Sequence, residues 1–198
     1  CRTPAAASIG LLKCVDDRFR IQRHPPRQER AQEERRIIPL MPPIEQHPLQ
    51  PFLPASAKVL MLGSFPPQQK RWSMDFFYPN FQNDMWRIMG LLFFADKNIF
   101  VDSPNKRFHK ENIIRFLEET GIALYDTAEV VHRLRDNASD NFLEIIQPTD
   151  IEKLIENMPQ CKTIATTGEK ATNEIVSRYK VEKPKIGEHT SIHIANQE

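Results

Sequence analysis

Cysteine is scarce: 3 in 198 residues, at Cys1, Cys14 and Cys161. The number is odd and the spacings are long. A disulfide framework, a CxxC redox pair and a four-cysteine metal or iron–sulfur site are all excluded within this sequence. There is no run of about 18 apolar residues, so no segment reads as a transmembrane helix. No secretory leader fits either, because the apolar run Ile9–Leu12 is too short for one. Strong net charge is also lacking, at +1 overall. The chain as a whole therefore advertises no basic surface. A phosphate-gripping GxxxxGK[ST] loop is absent, since Lys70 is not followed by Ser or Thr. Hydrophobic residues make up 40% and mean hydropathy is −0.51, so something polar dilutes an otherwise globular composition.

The diluent lies at the start. Residues 1–46 hold nine Lys/Arg against six Asp/Glu, a net of +3, which leaves −2 for the remainder. Nine of the 16 prolines stand at or before Pro54. Between Arg18 and Arg36 the apolar residues are Phe19, Ile21 and Ala31. Such a stretch buries too little surface to offset its ordering entropy. Residues 1–46 are therefore expected to be a disordered Arg/Pro/Gln-rich tail or a non-native extension. A basic arm touching nucleic acid is the functional alternative. The first residue is Cys1, which suggests a processed chain or a fragment.

An α/β domain is expected over residues 47–198, entered through Pro48, Pro51 and Pro54. Lys58–Leu62, Ile122–Thr127 and Lys162–Thr167 read as buried strands, and Thr190–Ala195 as a last one. Helices are expected over Asn83–Phe94, residues 105–121 with Gly121 as the stop, Thr149–Met158 with a Thr149/Glu152 capping box, and Gly168–Tyr179. This alternation predicts a three-layer αβα sandwich around a mainly parallel sheet of about four strands. Ligands of such sheets bind at the carboxyl ends of strands. Attention thus falls on the loop after Leu62, on Tyr125–Thr127 and on Thr166–Gly168.

The first of these is the richest. Gly63-Ser64-Phe65-Pro66-Pro67 is followed by Phe76-Phe77-Tyr78-Pro79-Asn80-Phe81 and by Asn83-Asp84-Met85-Trp86. Glycine at a strand end lets backbone approach a ligand, and the two prolines stiffen the loop beyond it. Four aromatics in a polar loop must pack or stack on something. Asn83 equally suits a helix cap. The pattern G-S-F-P-P, a spacer, an aromatic pair and N-x-x-W resembles the uracil-DNA glycosylase superfamily, in particular its mismatch-specific and hypoxanthine-DNA branches. Gly121–Asp126 is similar to that family's central strand, and the resemblance spans roughly residues 47–190. The sequence also departs from the pattern. Pro67 replaces the motif's second glycine, and Phe65 stands where the mismatch-specific branch has a water-positioning Asn. The family's C-terminal catalytic loop has no counterpart before Glu198, so a C-terminal truncation that leaves this chain inactive is an expectation.

The resemblance implies a base-excision DNA glycosylase. It would flip a uracil or another deaminated or mismatched base from the duplex and cleave its N-glycosidic bond by water attack. Asn83 would position the water, with Ser64 assisting or simply bonding loop backbone. Gly63, Phe65 and Tyr78 would contact the base. Asp126 would accept an N–H at the base edge, its alternatives being a cap or a salt bridge. Lys170 would touch a phosphate at a helix N-terminus, against the alternative of a solvated lysine. No cofactor and no metal are expected. His189 and His193 are too far apart on a strand, about 13 Å, to share an ion. The basic patch Val130–Arg135 reads as a surface helix, and Cys161 as a structural thiol. DNA is the expected partner, with no membrane, for a cytoplasmic monomer. A catalytically silent nucleic-acid binder of the same fold and an unrelated nucleotide-binding α/β domain are the competing functional classes.

Overall fold

Strand β2 (Val59–Gly63) is the pivot of the structure. The computed structural model describes residues 44–134 and 140–194, all within one unit that spans Met41–Glu198. β2 pairs in parallel with β5 (Ile122–Asp126) on one edge and with β8 (Thr163–Thr166) on the other. Leu60, Met61 and Leu62 are buried in succession, and so is every residue of β5. Successive residues of a strand face opposite ways, so both faces of these strands are covered, as continuous apolar runs in parallel sheets require.

The described residues include four helices: α1 (Met85–Phe94), α2 (Lys110–Thr120), α3 (Ile151–Glu156) and α4 (Glu169–Tyr179). Trp86 of α1, Ile113 and Leu117 of α2, Ile151 of α3 and Ile175 of α4 join the strands in one apolar core. Gly121 ends α2 with φ of +70°, and a Cβ there would stand 2.8 Å from the Ser56 carbonyl oxygen. Both facts favour glycine at this C-terminal stop.

The architecture is mixed α/β, and it differs from the expectation in its sheets. Among the described residues the parallel sheet has three strands rather than about four. Three other strands, β1 (Ile44–Gln46), β6 (Ala128–Arg133) and β7 (Leu143–Pro148), form an antiparallel sheet in the order β1-β6-β7. A short hairpin, β3 (Val101–Asp102) with β4 (Arg107–Phe108), occupies what read as the start of the helix over 105–121. Asp102 shapes it by accepting from Asn105 and Arg107. The expected strand over Thr190–Ala195 is not one at residues 190–194, although Ile192 and Ile194 lean on the core. β1 places Ile44–Gln46 in a sheet, within the stretch assigned to the tail. The tail assignment for residues 1–43, together with Cys1 and Cys14, lies outside the described residues, as do Arg135 and Ala195.

The second sheet rests on its own small core of Phe65, Ala128, Val131 and Leu143. Arg133 explains why β6 does not look like a strand in the sequence. Its buried guanidinium forms a two-pronged pair with Glu45, at 2.9 Å from Nε to Oε1 and 2.9 Å from Nη2 to Oε2. Nη2 also donates to the Pro66 carbonyl at 2.9 Å. A charge that would mark a surface helix is thus neutralised inside the fold. His132 is buried as well, with Nδ1 3.8 Å from the Glu144 carboxylate. The Val130–Arg133 stretch is therefore not a surface helix.

Candidate functional site

The three parallel strands end together. Gly63 lies in register with Asp126, and Leu62 with both Tyr125 and Thr166. Backbone bonds knit the ends: Thr127 N–H donates to the Gly63 carbonyl at 2.9 Å and Thr167 N–H to that of Leu62 at 3.0 Å. Thr149 Oγ1 donates to the Asp126 carbonyl at 2.7 Å. Because β5 and β8 follow β2 in sequence and flank it on opposite sides, the carboxyl end of β2 is a switch point, where α/β sheets open a crevice.

Gly63 lets a neighbouring side chain close in at that point. A Cβ there would collide with Asp126 Oδ1 and stand 3.5 Å from the Tyr78 hydroxyl. The carboxylate oxygen therefore packs against Gly63, with the phenol hydroxyl close by. Tyr78 arrives with φ of +50°, an uncommon conformation for a bulky residue and one that concentrates at functional sites. Its hydroxyl shares a hydrogen bond of 2.8 Å with Thr167 Oγ1, and its ring meets Trp86 edge-on. Burial, and then the Asp126 carboxylate, push the phenol well above the usual tyrosine range, against a smaller opposing effect of the Thr167 bond. Tyr78 is a neutral hydroxyl here, able to donate or accept.

Asp126 is held from behind by a residue that no sequence motif marks. His47 Nε2 lies 2.9 Å from Asp126 Oδ2, and the two side chains are 2% and 9% exposed. Tyr125, Phe65 and Phe77 surround the imidazole at centroid distances of 4.6, 5.3 and 6.2 Å. The signal that could have found His47 is modest: a histidine in an extended, proline-rich lead-in to a buried strand.

The structure brings together Gly63, Tyr78 and Asp126 from the expected set. Ser64 follows Gly63 in the chain and is buried. Phe65 is in the small core, where it meets His47 edge-on. It walls the histidine instead of offering an open face to a base. Phe76 and Phe77 are likewise core residues.

Asn83 is not brought to the cluster. It is exposed at the start of α1, and its Oδ1 accepts the Met85 N–H at 2.8 Å. That bond caps the first free N–H of α1 from one residue before the N-cap position, Asp84. Asn83→Ala is expected to lower stability by about 1 kcal/mol, read from urea unfolding, and to leave any activity of the strand-end cluster unchanged. A loss of activity without a loss of stability would contradict the capping role. Lys170 also differs from expectation. Its half-buried amine donates to the Leu143 carbonyl at 2.6 Å, which ties α4 to β7. His189 and His193 are exposed outside any strand. Among the described residues no group of three or more His, Cys, Asp or Glu could hold a metal, and no helix is long and apolar enough to cross a membrane. Cys161 is buried, donates weakly to the Thr163 carbonyl, and has its thiol pushed up by burial.

No protein-family model matches the chain, and no curated protein matches it. Among solved structures it is similar to the solution NMR structure of a protein from Methanosarcina acetivorans described as a putative uracil DNA glycosylase. The two are 21% identical with a TM-score of 0.51, over 71% of this chain and 81% of that one. The chain has a uracil-DNA-glycosylase-like fold. Such a likeness speaks to the fold alone, and function must be argued from the site. The candidate site in this fold is the strand-end group of Gly63, Tyr78, Asp126 and Thr167, backed by His47.

Proposed function

We propose that the chain is a DNA glycosylase that hydrolyses the N-glycosidic bond of uracil or another deaminated base. The observation that carries this reading is that a carboxylate oxygen and a neutral phenol both lie against Gly63, at the carboxyl ends of the parallel strands. The base is flipped out of the duplex, because stacking hides the bond to be cut. Asp126 Oδ1 accepts a ring N–H of the base, which selects lactam edges and repels bases that present only acceptors there. Tyr78 bounds the base and offers its hydroxyl. Positive charge builds on the sugar and negative charge on the departing base. A carboxylate beside an anionic leaving group does not speed departure, so Asp126 acts in recognition. Ser64, the residue after Gly63, supplies the hydroxyl that holds the attacking water. A neutral hydroxyl is a weak base, so turnover is slow.

The test is incision of oligonucleotides carrying uracil, hypoxanthine or a mismatched thymine, followed by alkali. Asp126→Ala is expected to raise the half-saturating DNA concentration about 10–150-fold, the equivalent of about 1.5–3 kcal/mol for a hydrogen bond to a charged group. An unchanged half-saturation would remove Asp126 from recognition. A second reading is a nucleic-acid-binding domain of the same fold without catalysis. It is favoured by the commitment of the Asn83 amide to a helix cap. Salt-dependent DNA binding with no incision of any oligonucleotide would establish that reading in place of the first.

A further inference from the structure

Residue 47 belongs to none of the motifs, yet it bonds the carboxylate on which base recognition depends. His47 Nε2 lies 2.9 Å from Asp126 Oδ2 across 79 positions of sequence. Carboxylate oxygens only accept, so Nε2 carries a proton and donates it into this bond. On the opposite side of the ring, Nδ1 lies 2.8 Å from the Leu49 carbonyl and 3.2 Å from the Leu49 N–H. Backbone therefore fixes one nitrogen and Asp126 the other. The His47 N–H donates to the Glu129 carbonyl at 2.7 Å, which anchors the residue to β6. Three aromatic rings close round the imidazole and keep its plane from turning.

We propose that His47 is a positioning residue: by holding Asp126 Oδ2 it keeps Oδ1 packed against Gly63 beside the Tyr78 hydroxyl, as the acceptor. What Oδ1 accepts rests on the glycosylase reading; the pairing itself does not. A buried carboxylate without this donor would turn about its Cβ–Cγ bond toward any hydrogen-bond donor within reach. The single free oxygen would then no longer stand beside the Tyr78 hydroxyl. An amide long enough to reach Oδ2 can replace the imidazole, whereas an apolar side chain of similar volume cannot.

The experiment compares the full chain with His47→Leu, His47→Gln and Asp126→Asn. In the imidazole NMR spectrum of histidine-labelled protein, a slowly exchanging Nε2–H proton is expected for His47, shifted or lost in Asp126→Asn. The same signal in both proteins overturns the proposal. In single-turnover incision, His47→Leu is expected to raise the half-saturating DNA concentration about 10-fold or more, the usual cost of losing an orienting partner, with His47→Gln within about threefold of the parent. Equal losses in the two variants, or none in His47→Leu, also overturn it. If His47→Leu does not fold, His47→Asn, whose amide is too short to reach Asp126, replaces it with the same expected outcome. A parent chain that incises nothing overturns the glycosylase reading alone. The pairing is then decided by the imidazole proton.

Discussion

A single methyl group at position 63 is expected to cut the incision rate by about 100-fold, the scale on which a misplacement of about 1 Å acts. The Gly63→Ala backbone has nothing to overcome, since Gly63 is not among the residues with positive φ. Its obstacle is Asp126 Oδ1, which occupies the space the new Cβ needs. That oxygen is the end of a side chain, and an unheld side chain would swing aside at small cost. Here it is held, because Oδ2 is bonded to His47. Displacement therefore loosens that hydrogen bond and carries the acceptor away from the Tyr78 hydroxyl. The accompanying loss of stability should be about 1.5–3 kcal/mol, the value of a hydrogen bond to a charged group. Urea unfolding and incision measured on the same preparation separate the two effects. Parent-like kinetics in Gly63→Ala would mean that the placing of Asp126 Oδ1 does not matter to the reaction.

Removal of the Arg133 guanidinium is expected to cost the most stability. Arg133→Met should lower the unfolding free energy by about 3 kcal/mol, near the low end for breaking one side of a buried ion pair. The low end applies because the Glu45 side chain, at 25% exposed, recovers some hydration, whereas that of Arg133 is 3% exposed. The Pro66 carbonyl loses a donor in the same change. This one side chain links β1, β6 and the turn after β2, so its loss should also slacken the Ser64–Pro67 segment. The double variant Glu45→Leu/Arg133→Met is expected to regain most of the lost stability, since apolar replacement of both partners of a buried pair is commonly near neutral. A loss below about 1 kcal/mol in the single variant would show the pair to be dispensable, as exposed pairs usually are.

The elements legible in the sequence were those whose causes are local. Leu60–Leu62 and Ile122–Leu124 are apolar runs of strand length, and Gly121 supplies the left-handed residue that ends α2. α4 follows from its apolar spacing and the open backbone at Gly168. The antiparallel sheet was hidden because its stabilising contacts are distant. Arg133 reads as surface until Glu45 is set beside it, and Ile44–Gln46 has no reason to be a strand until β6 offers an edge. The capping of α3 was misplaced by one residue for a tertiary reason. Asp150 takes the cap by accepting from Lys153 N–H, while Thr149 turns inward to the Asp126 carbonyl. The site divides the same way. Gly63, Tyr78 and Asp126 are recognisable from strand ends and motif spacing. His47 is recognisable only from the carboxylate it meets, and Asn83 satisfied two chemistries equally well until its Met85 bond was visible.

The placing of β2 between β5 and β8 also bears on how the chain is made. Both partners lie far downstream: Val59 pairs with Ile122 and with Thr163. During synthesis an apolar strand leaves the ribosome with two vacant edges. One is filled when Ile122–Asp126 emerges, and the other only when Thr163–Thr166 is made. Until then Val59–Gly63 is a sticky ribbon in a nascent polypeptide, the kind of segment that holding chaperones intercept and that mispairs between neighbouring chains. The same delay makes Thr167, and with it the hydroxyl partner of Tyr78, the last member of the cluster to be translated.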